Sequence, residues 1–294
     1  MKIRLNSQLF NLDFTLCCGQ TFRWENRDGW WYGVVKERVF KTRQIDDGLE
    51  FENVDAAFVK NYFGLDEDLS KILVEIGKDE HVKVAAETFK GLRIIRQDPW
   101  ECLISYICAT YKSIPAIKQM IFKLSSQFGG KAVFEGQDFH AFPTPAALAN
   151  ASIEKLKNCG LGYRARYVLE TARKIDDEAV NLEKLKRANY EEARCRLLEL
   201  SGVGLKVADC ILLFSLDKKE SFPVDVWIKR AIMRHYADHF PKEFIEKISA
   251  ERSPTNQEYE RLNLFGRQYF GRYAGYAQEY LYHYERTRNS TSQS

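Results

Sequence analysis

Leu200-Ser201-Gly202-Val203-Gly204-Leu205-Lys206-Val207-Ala208-Asp209-Cys210 is the stretch on which the reading of this chain turns, with Pro223-Val224-Asp225-Val226-Trp227 following after an apolar run and a charged loop. Two glycines one residue apart permit backbone angles that a β-carbon forbids. Set before a helical run, they leave N–H groups at a helix start without intrahelical partners, an anion site suited to a phosphate. Nucleotide-binding loops do not match. A Walker loop puts Gly before the lysine and Ser or Thr after it, whereas Leu205 and Val207 flank Lys206. A dinucleotide fingerprint wants Gly or Ala at position 207 in a strand–turn–helix unit, but that residue is Val and Tyr190–Leu200 has helical character. The turn therefore joins two helices. On the residues alone, two readings stay open for each polar group. Lys206 is either an exposed lysine at a helical corner or a reactive amine. Asp225 is either the N-cap of a helix over Val226–Tyr236 or an electrostatic partner for that amine.

The hairpin, Lys206 and the Pro223-Val224-Asp225 turn, with lysine and aspartate 19 positions apart, together resemble the helix-hairpin-helix DNA glycosylase superfamily. Within it, the likeness is to 8-oxoguanine DNA glycosylases that carry a catalytic lysine. The resemblance implies that Lys206 attacks the sugar C1′, expels the damaged base and forms a Schiff base, from which β-elimination follows. It implies that Asp225 stabilises the positive charge on the sugar, and that Gly202, Val203 and Gly204 hold a DNA phosphate. An amine nucleophile must be neutral, so partial desolvation is expected from the helix start and from apolar Val207 and Ile211.

A chain of 294 residues is long enough for one or two domains with a sizeable core. Apolar content of 45% and charged content of 29% are ordinary for a globular protein, and a net charge of +3 is too weak to argue for nucleic acid. Locally, Lys157, Arg164, Arg166, Arg173 and Lys174 against Glu170 give +4, either a phosphate-facing patch or a solvated helix face. The seven cysteines are an odd, scattered set, read as reduced thiols. They show no iron–sulfur or zinc spacing, which argues against the cluster-bearing relatives of the superfamily; no metal and no cofactor is expected. No apolar run reaches the ~18 residues of a membrane span, and MKIRLNSQLF lacks the apolar core of a leader. The expected setting is intracellular, cytoplasm or nucleoid in a prokaryote.

The fold class expected is α+β. An antiparallel sheet domain over residues 1–85 precedes a mostly helical domain over 86–294 that carries the site. Up to about residue 60, β-favouring runs at Phe22–Trp24, Trp30–Val35, Val39–Thr42 and Leu49–Phe51 alternate with turns at Asp28-Gly29 and Asp47-Gly48. Beyond residue 55 the periodicity is helical, with a helix start at Asp98-Pro99-Trp100-Glu101, where Asp98 caps and Glu101 closes a capping box. Phe142-Pro143-Thr144-Pro145 and Ser253-Pro254 mark further helix starts, and Arg286–Ser294 reads as a frayed polar tail.

Other segments are similar to the same family. Gly19, in Cys18–Trp24, corresponds to a glycine whose carbonyl accepts N7–H of the oxidised base; on spacing alone it is equally a bulge glycine. Tyr111, in Ala109–Ala116, stands in an asparagine run of which one member fills the hole left by the flipped base. Ala116 stands where an arginine reads the opposite cytosine, so a weaker preference for cytosine is expected. Leu156–Arg166 aligns Tyr163 with a wedging tyrosine and Arg164 with an arginine near the opposite base, both expected at a surface. Cys210, at i+4 from Lys206, corresponds to a cysteine packed on the flipped base, or is a small buried hydrophobe. Gln278 corresponds to a glutamine on the base's pairing edge, and Tyr282 to a stacking phenylalanine. The partner implied is double-stranded DNA containing 8-oxoguanine, bound by a monomer with the base turned out. Two alternatives remain: the same chemistry on another purine lesion, and a non-catalytic hairpin module binding phosphates.

Overall fold

The computed structural model describes residues 1–5, 9–251 and 253–291, the last three by backbone only. Asp28 (φ +50°) and Gly29 (φ +81°) make a tight turn of the kind whose twist matches antiparallel strands. It joins β2 (Trp24–Arg27) to β3 (Trp30–Val35), which pairs in turn with β4 (Arg38–Ile45), and β4 with β5 (Gly48–Glu52). A short β1 (Lys2–Arg4) closes the edge by pairing Ile3 with Leu49, giving the antiparallel order β1-β5-β4-β3-β2. One face of the sheet buries Trp24, Phe40, Leu49 and Phe51 against Tyr62 and Phe63. Among the described residues, the regular elements from Leu69 onward are helices apart from one two-stranded hairpin, as the expected α+β class requires.

The larger core gathers the helices, including Leu69 and Ile72 from the helix Leu69–Ile76 and Val82 and Ala85 from Glu80–Thr88. At its centre the helices Pro99–Ala109 and Leu205–Ser215 pack side by side, with Tyr106 stacked on Phe214 at 5.7 Å between ring centroids. The final helix, Ala274–Thr291, is buried over its first eight residues. It approaches the Lys206 helix so closely that a β-carbon on Gly275 would lie 2.1 Å from Leu213 Cδ1.

Several local expectations need correction. Leu12–Cys17 is a helix capped by Asn11, in a stretch ahead of the expected strands to which the sequence assigns no element. β6 (Lys131–Phe134) and β7 (Gln137–His140) form a hairpin in the helical half. Asp98 does cap its helix through the Glu101 N–H, but the Glu101 carboxylate turns to Arg23, 2.9 Å away, instead of closing a capping box. The helix start after Ser253-Pro254 lies at Thr255, whose capping box with Glu258 is complete. The polar tail continues the final helix to Thr291; residues 292–294 of that segment, like 6–8 of the N-terminal stretch, lie outside the described residues.

Candidate functional site

The turn Glu199–Gly204 connects the helices Tyr190–Leu198 and Leu205–Ser215, so the hairpin is present. Gly202 holds φ +81° and packs its Cα face on Tyr167, where a β-carbon would stand 2.8 Å from Tyr167 Cβ; only glycine satisfies both conditions. The neighbouring helix Arg164–Asp176 buttresses the turn. Thr171 Oγ1 donates to the Ser201 carbonyl at 2.9 Å, Ser201 donates to Glu170, and Lys174 donates to the Glu199 carbonyl. Gly204 is exposed at the N-cap with no side-chain cap, leaving that helix start open. Val203 departs from the expectation of a free N–H. Its N–H donates to the Leu200 carbonyl at 3.2 Å, and its side chain is buried.

Asp209, one turn beyond Lys206, anchors this helix from behind. Its carboxylate accepts from Tyr190 Oη and Tyr259 Oη at 2.6 Å, from Arg194 Nε and Nη2 at 3.1 and 3.2 Å, and from Asn263 Nδ2 at 3.1 Å. Burial pushes its pKa up, while Arg194, Tyr190 and Tyr259 pull it back. With only donors facing it, the group is an anion. The network also reaches the returning loop: Ser221 donates to the Asp209 carbonyl at 2.8 Å, and the Val224 N–H donates to Tyr259 Oη at 3.3 Å. One buried carboxylate thus sets the Lys206 helix against the turn that carries Asp225.

Asp225 caps the helix Val226–His235, its Oδ1 accepting from Trp227 N–H and Ile228 N–H, both at 2.9 Å. That capping role coexists with a second one, because Asp225 also lines a cavity of about 60 Å³ together with Lys206. Part of Asp225 reaches solvent, yet its carboxyl is enclosed enough that burial pushes its pKa up against the pull of the Lys206 ammonium and the two cap N–H groups. Gly19, Cys210, Gln278 and Tyr282 line the same cavity, so six expected site residues from four distant segments converge. Gly19 (φ +104°) faces Tyr282 and Arg286; a β-carbon there would meet the Tyr282 hydroxyl at 3.2 Å. The Cys210 thiol is pushed well above its ordinary pKa by burial, so it is a neutral wall. Lys206 itself is exposed, while Val207 and Ile211, from which its desolvation was expected, are buried in the core. Any drying of this amine must come from what binds over it.

Of the remaining candidates, Tyr111 is 84% exposed at φ +54° on the turn between two helices, and Tyr163 is 56% exposed. Arg164 is not at the surface. Its guanidinium donates to the Thr110 carbonyl and lies 4.4 Å from the Tyr163 ring centroid, and it is only 4% exposed. Apart from Arg164, the basic stretch is a solvent-exposed face at Lys157, Arg166, Arg173 and Lys174, with part of its charge met by the protein. Arg166 pairs with Glu170 at 2.6 Å, and Lys174 is on the hairpin carbonyl. Sequence reasoning passed over four cavity residues: Tyr106, Phe214, Pro223 and Glu279. Glu279 had a signal, an acid in a helix segment apolar on every side, where no polar face exists to receive it. Among the described residues no group of His, Cys, Asp and Glu is arranged to hold a metal ion, and no helix is long and apolar enough to cross a membrane.

Comparison with known proteins agrees with this geometry. Residues 2–103 match the family described as 8-oxoguanine DNA glycosylase, N-terminal domain, and residues 104–254 match the HhH-GPD superfamily of base excision DNA repair proteins. An N-glycosylase/DNA lyase of Saccharomyces cerevisiae is 32% identical over 321 residues, covering 96% of this chain and 85% of its own length. A probable N-glycosylase/DNA lyase of Methanothermobacter thermautotrophicus is 35% identical, with coverage of 71% and 68%. The structure of a Clostridium acetobutylicum 8-oxoguanine glycosylase/lyase, bound to duplex DNA containing cytosine opposite 8-oxoguanine, superposes with a TM-score of 0.85 at 34% identity, covering 95% and 93% of the two chains. The chain belongs to the 8-oxoguanine DNA glycosylase family of the HhH-GPD superfamily.

Proposed function

We infer that this protein is a bifunctional DNA glycosylase/AP lyase that removes 8-oxoguanine from duplex DNA in base excision repair. The observation that carries the reading is the meeting of Lys206, Asp225, Gly19, Cys210, Gln278 and Tyr282 around one cavity, at the first turn of a helix that follows a glycine hairpin. The open helix start at Gly204 takes a backbone phosphate. The exposed tyrosines, Tyr111 and Tyr163, enter the duplex where the base has left it, and their stacking offsets part of the cost of extrusion, a few kcal/mol. The flipped base lies between the Cys210 and Tyr282 walls, with Gly19 and Gln278 supplying hydrogen bonds.

Bound DNA covers the exposed Lys206 and dries it, favouring the neutral amine. Its nitrogen bonds to C1′ as the N-glycosidic bond breaks, and the base departs with that electron pair. Asp225 stands opposite the positive charge that develops on the sugar. Loss of a proton from nitrogen and opening of the sugar ring give the Schiff base; removal of a C2′ proton then expels the 3′ phosphate. Arg164 enters this scheme as the support of the Thr110 turn rather than as a reader of the opposite base.

Borohydride trapping on a duplex carrying 8-oxoguanine tests the assignment. The wild type and Leu205→Ala yield a covalent protein–DNA adduct, and Lys206→Gln yields none. An unmodified protein that binds the duplex without forming an adduct would instead be a phosphate-binding hairpin module.

A further inference from the structure

The cavity holds a second carboxyl, Glu279, next to Gln278 on the final helix. Its side chain is nine-tenths and more buried at 2% exposure, and Oε1 has no hydrogen-bond partner. Gln278 Oε1, beside it, is in the same condition. The Cys18 thiol, which touches this carboxyl, donates to the Thr15 carbonyl at 3.3 Å and so leaves Oε1 unsatisfied. Two buried polar atoms without partners, on residues that line the same cavity, are costly in a folded interior unless something enters to meet them.

The charges around Glu279 come from three directions. Arg286, two turns along its own helix, favours the carboxylate; Asp225, at the start of the Val226–His235 helix, opposes it; Lys206 stands on the facing helix across the cavity. Burial outweighs them and pushes the Glu279 pKa up to about 7. Tyr106, Cys210 and Tyr282, which also sense Glu279, are themselves held neutral by burial. A carboxylic acid, unlike a carboxylate, offers an O–H donor as well as an acceptor.

We propose that Glu279 is a base-recognition residue, its carboxylic acid donating a hydrogen bond to a carbonyl oxygen of the flipped oxidised guanine beside Gln278. This rests on the assignment of the cavity as the base pocket. It adds a titrating group to recognition: binding of the base in the productive mode requires the proton. Glutamine at this position keeps a donor at every pH, and alanine removes it.

The test compares kcat/KM for 8-oxoguanine excision by the wild type, Glu279→Gln and Glu279→Ala across pH 5.5 to 9, a window set about the value near 7. Borohydride trapping on a preformed abasic site, which leaves the base pocket empty, runs in parallel. Taking the ratio of wild type to Glu279→Gln cancels the pH dependence of the steps common to both. That ratio is expected to be flat in acid and to fall about tenfold per pH unit above the Glu279 pKa. Glu279→Ala is expected to excise about tenfold more slowly than wild type in acid, while trapping on the abasic site is unchanged in both variants. Thermal melts verify that the variants fold, and the isosteric glutamine carries the pH test should the alanine variant not fold. A pH-independent ratio, a Glu279→Ala enzyme as fast as wild type, or equal losses on the abasic site overturns the proposal and leaves the glycosylase reading standing. A wild type that is trapped on abasic sites but releases no 8-oxoguanine overturns the lesion assignment, and this proposal with it.

Discussion

Asp209→Asn changes one atom in the anchor behind Lys206 and keeps the shape of the side chain. Oδ1 accepts from Tyr190 and Arg194, and Oδ2 from Arg194, Tyr259 and Asn263. Asparagine retains one acceptor oxygen; its NH₂ group faces donors whichever way the amide is turned. At least two buried donors lose their acceptor, and Arg194, whose side chain is 10% exposed, loses its buried counter-charge and keeps only Glu260. Removing one partner of a buried ion pair costs about 3–5 kcal/mol. In a chain of this size each kcal/mol lowers the melting temperature by about 2 °C, so a drop of roughly 6–10 °C is expected. The same change loosens the Ser221–Asp225 loop, because Tyr259 links Asp209 to the Val224 N–H. Trapping on an abasic site, measured well below the melting transition, is expected to slow tenfold or more, on the scale that a misplacement of about 1 Å produces. A double variant with Arg194→Gln should be less damaged than the sum of the two single variants, since the orphaned charge is removed with its partner. An Asp209→Asn protein that melts within about 2 °C of wild type, with wild-type trapping, would refute the anchoring argument.

Two further predictions follow from other parts of the structure. Under the function proposed here, Tyr111 offers an exposed ring for stacking, and Arg164 is tied to Thr110, so excision rates should vary less than about tenfold across the four bases opposite 8-oxoguanine; strict dependence on cytosine in single-turnover assays would contradict this. His283 is buried with its ring 4.2 Å from that of Phe89, and burial lowers its pKa from 6.5 to about 4. The unfolded chain takes up this proton as pH falls through 6.5 while the folded chain refuses it until about 4. The contribution is therefore complete above 6.5 and is lost on descending to about 4, amounting to about 3 kcal/mol. Urea melts of His283→Leu should show a correspondingly shallower loss of stability across that interval, and parallel pH curves for variant and wild type would count against it.

Features set by near neighbours in the chain were legible. The hairpin at Gly202, the Asp98 and Asp225 caps and the Asp28-Gly29 turn each depend on a few adjacent residues. The residues that the family likeness assigned to the pocket also converge on one cavity, because each sits in a segment whose local character survives. What escaped depends on partners far along the chain. β1 exists because Ile3 finds Leu49, and no run of three residues announces that pairing. Arg164 has the composition of a DNA contact, but a carbonyl at Thr110 decides its position. Glu101 fits the spacing of a capping box, yet a charged Arg23 outcompetes a backbone N–H for its carboxylate. The β6–β7 hairpin is short, and its strands are half-exposed, so alternation carried little signal there.

The tie between Arg164 and the Thr110 carbonyl has a mechanical consequence. It lashes the turn bearing Tyr111 to the root of Tyr163, so two tips from different helices ride on one jig. The gap between them is set when the chain folds, before any duplex arrives. Under the function proposed here, a duplex meets calipers of preset opening, and the double helix is the partner that yields to fit them.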